Sequence, residues 1–490
     1  MGGFVKRIIS SSLAAMLLLS GCGSTSSDGN NVVQTVNAKE SMLSEPVLFS
    51  ETTVTYPKIL VDESGYLTAS DKTAVLKADL LPADFDVIDK ETGEIVYEGK
   101  VTAKNTGDET ETEYGIADFS DLSKEGTYYI ETEILGRSKD FTVTTDKYED
   151  LYVSALKKLD SLRCENCHTK KAGVEGNAEL SIDVSGGLHT DDSNNKDVVE
   201  GCLAVMDICT ALEYYPKVFS DDEIISFSGN NIPDLLDEAI YEVEWLLKMQ
   251  NSKTGGVYAS VVYSEDDLEY KVISETTKAT AYFAACMAKF SVTVKKYDAN
   301  LSKKAFQAAA LAWKCLGANK DIVTAEQRFR AAVEMYRASG SGVYNSAVLD
   351  YLKDNADKDF ESDSVLDGAI TYLNTTRSVN MDYCTSLMST FMDRTEEKIN
   401  LAESNPYGIE SEELTVDELL RNMFELIIVD YIISSNAYTG TEEDYMHYLC
   451  GRNPESASLI DDINTPDSLV RFTAFTAKLS AELEKEEDVK

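Results

Sequence analysis

The chain predicts two folded parts in series, an antiparallel β-sandwich and then an all-α domain. Two textures carry that prediction. Short alternating segments punctuated by turns fill residues 55–145, and apolar residues recur at helical spacing from about residue 147 onward. A third stretch, residues 1–54, fits neither part.

That first stretch reads as an export signal and a tether. Lys6 and Arg7 precede the apolar run Ile8 to Leu19, which is too short to span a bilayer as a stable helix. Leu19-Ser20-Gly21-Cys22 resembles the lipobox of bacterial lipoproteins, which makes residues 1–21 the signal peptide and Cys22 the lipidated residue. Residues 22–54 are polar and turn-rich, as a flexible tether is. The expected location is outward-facing, on the bacterial cell membrane, with the lipid anchor as the sole membrane contact.

The sandwich is expected over 55–145. Its strands are Lys58 to Val61, Thr73 to Lys77, Phe85 to Asp89, Thr127 to Ile130 and Lys139 to Val143, with turns at Gly65-Tyr66 and Thr92-Gly93. The helical part is expected over 146–490. Val198 to Tyr215, Ile232 to Gln250, Thr276 to Lys295, Lys303 to Leu316, Ala325 to Ser339 and Leu419 to Ser435 carry the period. Periodicity alone does not separate a barrel of helix pairs from a solenoid. Cys202, Cys209, Cys286, Cys315, Cys384 and Cys450 lie within these apolar patterns and read as small buried hydrophobes. The net charge of −41 excludes nucleic acid as a partner, because a phosphate backbone would be repelled. It fits a protein that meets neutral polymers, or one that is merely kept soluble.

Several motifs point further. Asp183 to His189 reads DVSGGLH, Asn231 to Glu238 reads NIPDLLDE, and Glu244 to Gln250 reads EWLLKMQ before Gly255 to Tyr258. Thr276 to Ala288, Arg328 to Gly340 and Tyr448 to Pro454 (YLCGRNP) continue the series in order. Together they resemble glycoside hydrolase family 9, the cellulases and related β-glucanases. In the first part, Gly65-Tyr66, Ala117 to Ser120 and Gly126 to Tyr129 resemble that family's N-terminal immunoglobulin-like module. The resemblance implies an immunoglobulin-like β-sandwich followed by an (α/α)6 barrel.

It also implies a chemistry. Inverting hydrolysis of a glycosidic bond needs one carboxyl to protonate the leaving oxygen and a second to deprotonate water, roughly 6.5–9.5 Å apart. In the family the base side is Asp-Ala-Gly-Asp directly after the tryptophan-histidine pair. Here the aligned stretch is Thr190-Asp191-Asp192-Ser193, so hydroxyls replace both aspartates, and Leu188 replaces the aromatic ring. Neither hydroxyl stores a proton near neutral pH. On the acid side, Asp467 stands where the family has a glutamate, one methylene short. A segment that carries a sugar-holding His-x-x-Arg-like pair is cut to the eleven residues Glu455 to Thr465.

The resemblance implies a structural zinc of two Cys and two His as well, for which Cys164, Cys167, His168 and His189 are the candidates, with Lys196 where a second His belongs. Thiolate and imidazole suit tetrahedral zinc. A Cys164–Cys167 disulfide and a c-type haem are the other readings of this CxxCH. No cofactor is otherwise required. The expected function is therefore a catalytically impaired, surface-held binder of β-glucan polysaccharide or oligosaccharide, with His189, Tyr258 and Tyr263 on the sugar. One alternative is an active endo-β-1,4-glucanase using Asp191 or Asp192 as base and Asp467 as acid. Another is a scaffold that binds no sugar.

Overall fold

The computed structural model describes residues 58–104, 112–164, 170–223, 225–265, 268–318, 323–360 and 362–484. The signal, the tether and Cys22 lie outside these described residues.

The first part is the expected β-sandwich. Its strands run in the order Ile59–Leu60, Thr73–Ala78, Glu113–Asp118, Ile95–Lys104, Asp84–Asp89, Gly126–Thr132, Phe141–Thr144 and Tyr66–Leu67, with Gly136–Arg137 beside Gly126–Thr132. Pairing is antiparallel except between Tyr66–Leu67 and Phe141–Thr144. The strand Ile95–Lys104 closes the two layers. Its first half pairs with Asp84–Asp89 and its second half with Glu113–Asp118. Alternation sends Tyr66, Phe85, Phe119, Tyr128 and Phe141 inward, all buried. Tyr66 meets Phe119 and Phe141 edge-on at 5.2 and 5.3 Å, contacts worth about 0.5–1.5 kcal/mol each beyond area burial.

Twelve α-helices follow among the described residues: α1 (Lys147–Ser161), α2 (Val198–Tyr214), α3 (Asp234–Leu246), α4 (Thr277–Thr293), α5 (Ala299–Ala318), α6 (Ala325–Ser339), α7 (Gly342–Asn355), α8 (Asp363–Asn374), α9 (Met381–Ser404), α10 (Val416–Ile433), α11 (Thr439–Leu449) and α12 (Pro466–Leu479). They pack as six pairs, α2 with α3, α4 with α5, α6 with α7, α8 with α9, α10 with α11, and α12 with α1. The even-numbered helices form the inner ring, in which α2, α4, α6 and α8 are successive neighbours and α12 joins α10 to α2. Arg421 closes the ring by pairing with Asp363 and Asp367. This is an (α/α)6 barrel. An inner helix has no solvent face, and α12 is accordingly buried nearly all round.

Local sequence starts these helices at one end of the barrel. Asp197 accepts from Val199 and Glu200 N–H, Thr276 from Ala279 and Thr324 from Gln327, while Thr415 and Glu418 form a capping box. Pro466 opens α12, where its missing N–H is harmless. Ser468 in the first turn of α12 donates to Asp417 in the first turn of α10, so these N-termini sit level. A five-stranded sheet, ordered Asn177–Asp183, Lys171–Val174, Glu269–Val272, Ser260–Ser264 and Lys196–Asp197, stands beside that end. Sequence patterning did not predict it.

The sandwich is fastened to the barrel by a buried polar joint. Asp62 accepts from Lys147 Nζ at 2.6 Å and from His447 Nδ1 at 2.7 Å, with all three side chains shut from solvent. Arg452 of the GRNP motif donates to Thr73 and Asp444, and Cys450 O accepts from Glu63 N–H at 2.8 Å.

Candidate functional site

The site is built at the N-terminal end of the inner ring. Gly187, at φ +82°, brings the chain against Trp245, whose ring would lie 2.6 Å from any Cβ there. Leu188, in the place of the family's aromatic ring, is buried and donates its N–H to Glu242 at 2.7 Å. Burial pushes the Glu242 carboxyl up to about 8.

The loop that follows is self-satisfied. Thr190 N–H donates to Asn195 O at 2.9 Å, and its hydroxyl faces the same carbonyl at 3.3 Å. Asp191 accepts from Ser193 N–H at 2.9 Å and Asn195 N–H at 3.0 Å, and from the Asn195 amide at 2.7 Å. Its carboxylate is the keystone of a turn, not a group aimed at a ligand. Asp192 is exposed. Of the two residues expected near the base position, Asp191 thus holds its own turn together and Asp192 is turned to solvent.

Asp467 sits in the first turn of α12, mostly buried, and pairs with Arg471 at 3.2 Å. Arg471 in turn donates to Asp207 of α2 at 2.8 Å. Asp467 is thereby tied back along its own helix to Arg471. Below this pair the barrel axis is plugged. Arg330 pairs with Asp367 at 2.7 Å and Lys289 with Glu334 at 3.4 Å, and only about 20 Å³ of space remains among them. Burial pushes Asp367 up, but Arg330 and Arg421 outweigh it and hold the carboxyl below its ordinary value. The plug fills the interior of the inner ring at this level.

Of the expected sugar contacts, His189 is half-buried with its N–H on Leu162 O. Tyr258 is only 5% exposed, so its ring offers no face to a sugar and that expectation is corrected. Tyr263 is 39% exposed. It pairs across the hairpin with Tyr270, ring centroids 5.3 Å apart. The Tyr263 N–H donates to Asn195 Oδ1 at 2.7 Å and the Tyr270 hydroxyl to Ser193 O at 3.0 Å. The hairpin thus braces the altered loop and sets an aromatic ring beside it. Tyr270 was missed because nothing in the sequence marks its cross-strand register.

The zinc reading does not survive for Cys164, which is disulfide-bonded and so offers no thiolate. Lys196 Nζ lies 3.7 Å from its sulfur and donates to the Val184 and Gly186 carbonyls at 2.5 and 2.7 Å. An ammonium in that place opposes a dication. Cys167 and His168 lie outside the described residues. A different cluster suits a hard cation: ligand oxygens of Asp221, Asp234 and Asp237 lie within 4.8 Å of one another. Asp234 is fully buried, and its Oδ1 has no hydrogen-bond partner among the described residues. Burial pushes Asp237 up to about 6 and raises Asp234 as well.

Comparison with known proteins agrees with this geometry. The model of glycosyl hydrolase family 9 matches residues 154–466, and that of the cellulase N-terminal ig-like domain matches residues 54–137. The chain is 27% identical to Endoglucanase D of Acetivibrio thermocellus over 466 residues, covering 84% of this chain and 74% of that protein. It is 29% identical to a cellodextrinase of Butyrivibrio fibrisolvens over 333 residues, covering 59% of this chain and 60% of that one. Among solved structures, a metagenome-derived family 9 endoglucanase superposes with TM-score 0.73 at 22% identity, covering 81% of this chain and 84% of that one. A Bacteroides ovatus family 9 structure gives TM-score 0.74 at 18% identity, covering 87% and 99%.

Proposed function

Because this chain belongs to glycosyl hydrolase family 9, whose members are inverting hydrolases of β-1,4-glucans, we propose that its cleft holds a β-1,4-glucan chain without cutting it efficiently. The observation that carries this reading is the loop at the base position. Hydroxyls of Thr190 and Ser193 stand where carboxylates would activate water, and the neighbouring Asp191 is consumed by Ser193 and Asn195. A water held between those two hydroxyls meets neither of the carboxylates that the family places there. Relatives named as an endoglucanase and a cellodextrinase supply the ligand class. Tyr263, exposed beside the loop, supplies a stacking face.

Export and lipidation at Cys22 complete the proposal and make the chain a glucan receptor held at the cell surface. Two experiments test it. Calorimetry with cellotetraose should show binding, while reducing-sugar release from soluble β-glucan stays at background. Turnover that disappears in Asp467→Asn would refute the non-catalytic reading. For the anchor, Cys22→Ala should move the protein from the membrane fraction to the medium.

A further inference from the structure

The cleft occupies one end of the barrel, and a separate cavity opens at the other. There α2, α8 and α10 end at Tyr214, Asn374 and Ile433, and none of the three carries a basic residue in its last turn. Helix C-termini present unsatisfied carbonyls and a partial negative charge, which a cation would answer. Among these ends lies a cavity of about 590 Å³, bordered by Tyr215, Asn374, Asp430, Tyr431, Ser434 and Glu482. A space of that volume admits a small organic ligand.

The charges beside it do not balance. The fully buried Lys478 of α12 pairs with Glu442 and, at 2.9 Å, with Glu482. It stands 3.7 Å from Asp430, beyond hydrogen-bond reach. One ammonium therefore serves three carboxyl groups, and Asp430 is the one left over. Asp430 is only 2% exposed, and neither of its oxygens has a hydrogen-bond partner among the described residues. A buried carboxyl in that condition is costly unless something positive comes to it. Asp430 borders the cavity, so the space from which a cation would reach it is already open.

The walls suit an organic cation better than a metal ion. The Tyr431 ring meets those of Tyr214 and Tyr215 at 68° and 69°, with centroids 4.5 and 6.1 Å away. Rings set near right angles form a corner, and the negative face of an aromatic ring attracts an alkylammonium. The Tyr215 hydroxyl is spent on Ile427 O at 2.6 Å, which holds that ring in place. Leu373 and Met388 add apolar wall. A hard metal ion needs several carboxylate oxygens gathered together, and among the described residues that gathering occurs at Asp221, Asp234 and Asp237 instead. We propose that this cavity binds a small organic ammonium, its charge toward Asp430 and Glu482 and its alkyl groups against Tyr215 and Tyr431. The site lies at the opposite end of the barrel from the glucan cleft, and neither reading depends on the other.

The test is calorimetry of the full folded chain with choline and with its carbon isostere, in which a tert-butyl group replaces the trimethylammonium. Choline should bind saturably, and the uncharged isostere should bind at least about tenfold more weakly. Asp430→Asn and Glu482→Gln each remove a charge while keeping the shape, and each should weaken choline about tenfold. Tyr431→Leu should weaken it by a similar factor. Glu482 is partly exposed at the rim, so its variant keeps the test readable if Asp430→Asn fails to fold. Equal binding of choline and the isostere overturns the proposal. So does choline binding unchanged by the charge substitutions, or the absence of saturable choline binding to wild type.

Discussion

Replacing His447 by Gln should flatten part of the acid sensitivity of the whole fold. His447 is fully buried between sandwich and barrel, and its Nδ1 meets Asp62 at 2.7 Å. Burial, with the Lys147 charge next, lowers its pKa from the ordinary 6.5 to about 4. The folded state thus refuses a proton that the unfolded chain accepts. Stability is complete above about pH 6.5 and drains away as pH falls toward 4. By pH 4.5 the loss is about 2–3 kcal/mol, taking 1.36 kcal/mol per tenfold shift in proton affinity. Carboxyls with raised values, such as Glu242 and Glu238, both near 8, act oppositely and gain on acidification. The quantity to read is therefore a difference. Urea unfolding of wild type and His447→Gln at pH 7 and pH 4.5 should show wild type losing about 2–3 kcal/mol more than the variant. Equal losses would show that the histidine is not the acid-sensitive member of the joint.

Other expectations concern the cleft and its surroundings. Gly187→Ala should lower stability by about 2–4 kcal/mol, from a positive φ and a Cβ driven into Trp245, and a thermal melt would read it. Calcium should raise the melting temperature by saturating Asp221, Asp234 and Asp237, worth about 2.7 kcal/mol at a hundredfold excess over the dissociation constant. Asp234→Asn should abolish that rise, and an undiminished rise would place the ion elsewhere. Asp191→Ala should loosen the 190–195 turn, costing about 1–2 kcal/mol in urea unfolding, with no change in any residual hydrolysis.

The fold was legible because both parts obey simple periods. Strands such as Thr73–Ala78 alternate, and Ala325–Ser339 carries a clean helical stripe between a Thr cap and the left-handed Gly340. Barrel closure came from motif resemblance, since helical periodicity alone does not say how successive helices are arranged. The five-stranded sheet went unseen because its strands are short and contributed from segments far apart, 171–183, 196–197 and 260–272.

The site was legible by subtraction. Thr190, Ser193 and Asp467 could be placed by alignment, but their employment could not. Only coordinates reveal that Asp191 is spent on its own loop, that Asp467 answers to Arg471, or that Tyr258 turns inward.

The central claim is that this cleft holds a β-1,4-glucan and leaves it intact. Proton NMR of cellotetraose with the protein tests both halves in one sample. Saturation transfer to the sugar, with no α-anomer signal growing beyond that of natural mutarotation, is the predicted result. A burst of α-anomer, the product of inverting cleavage, would contradict it.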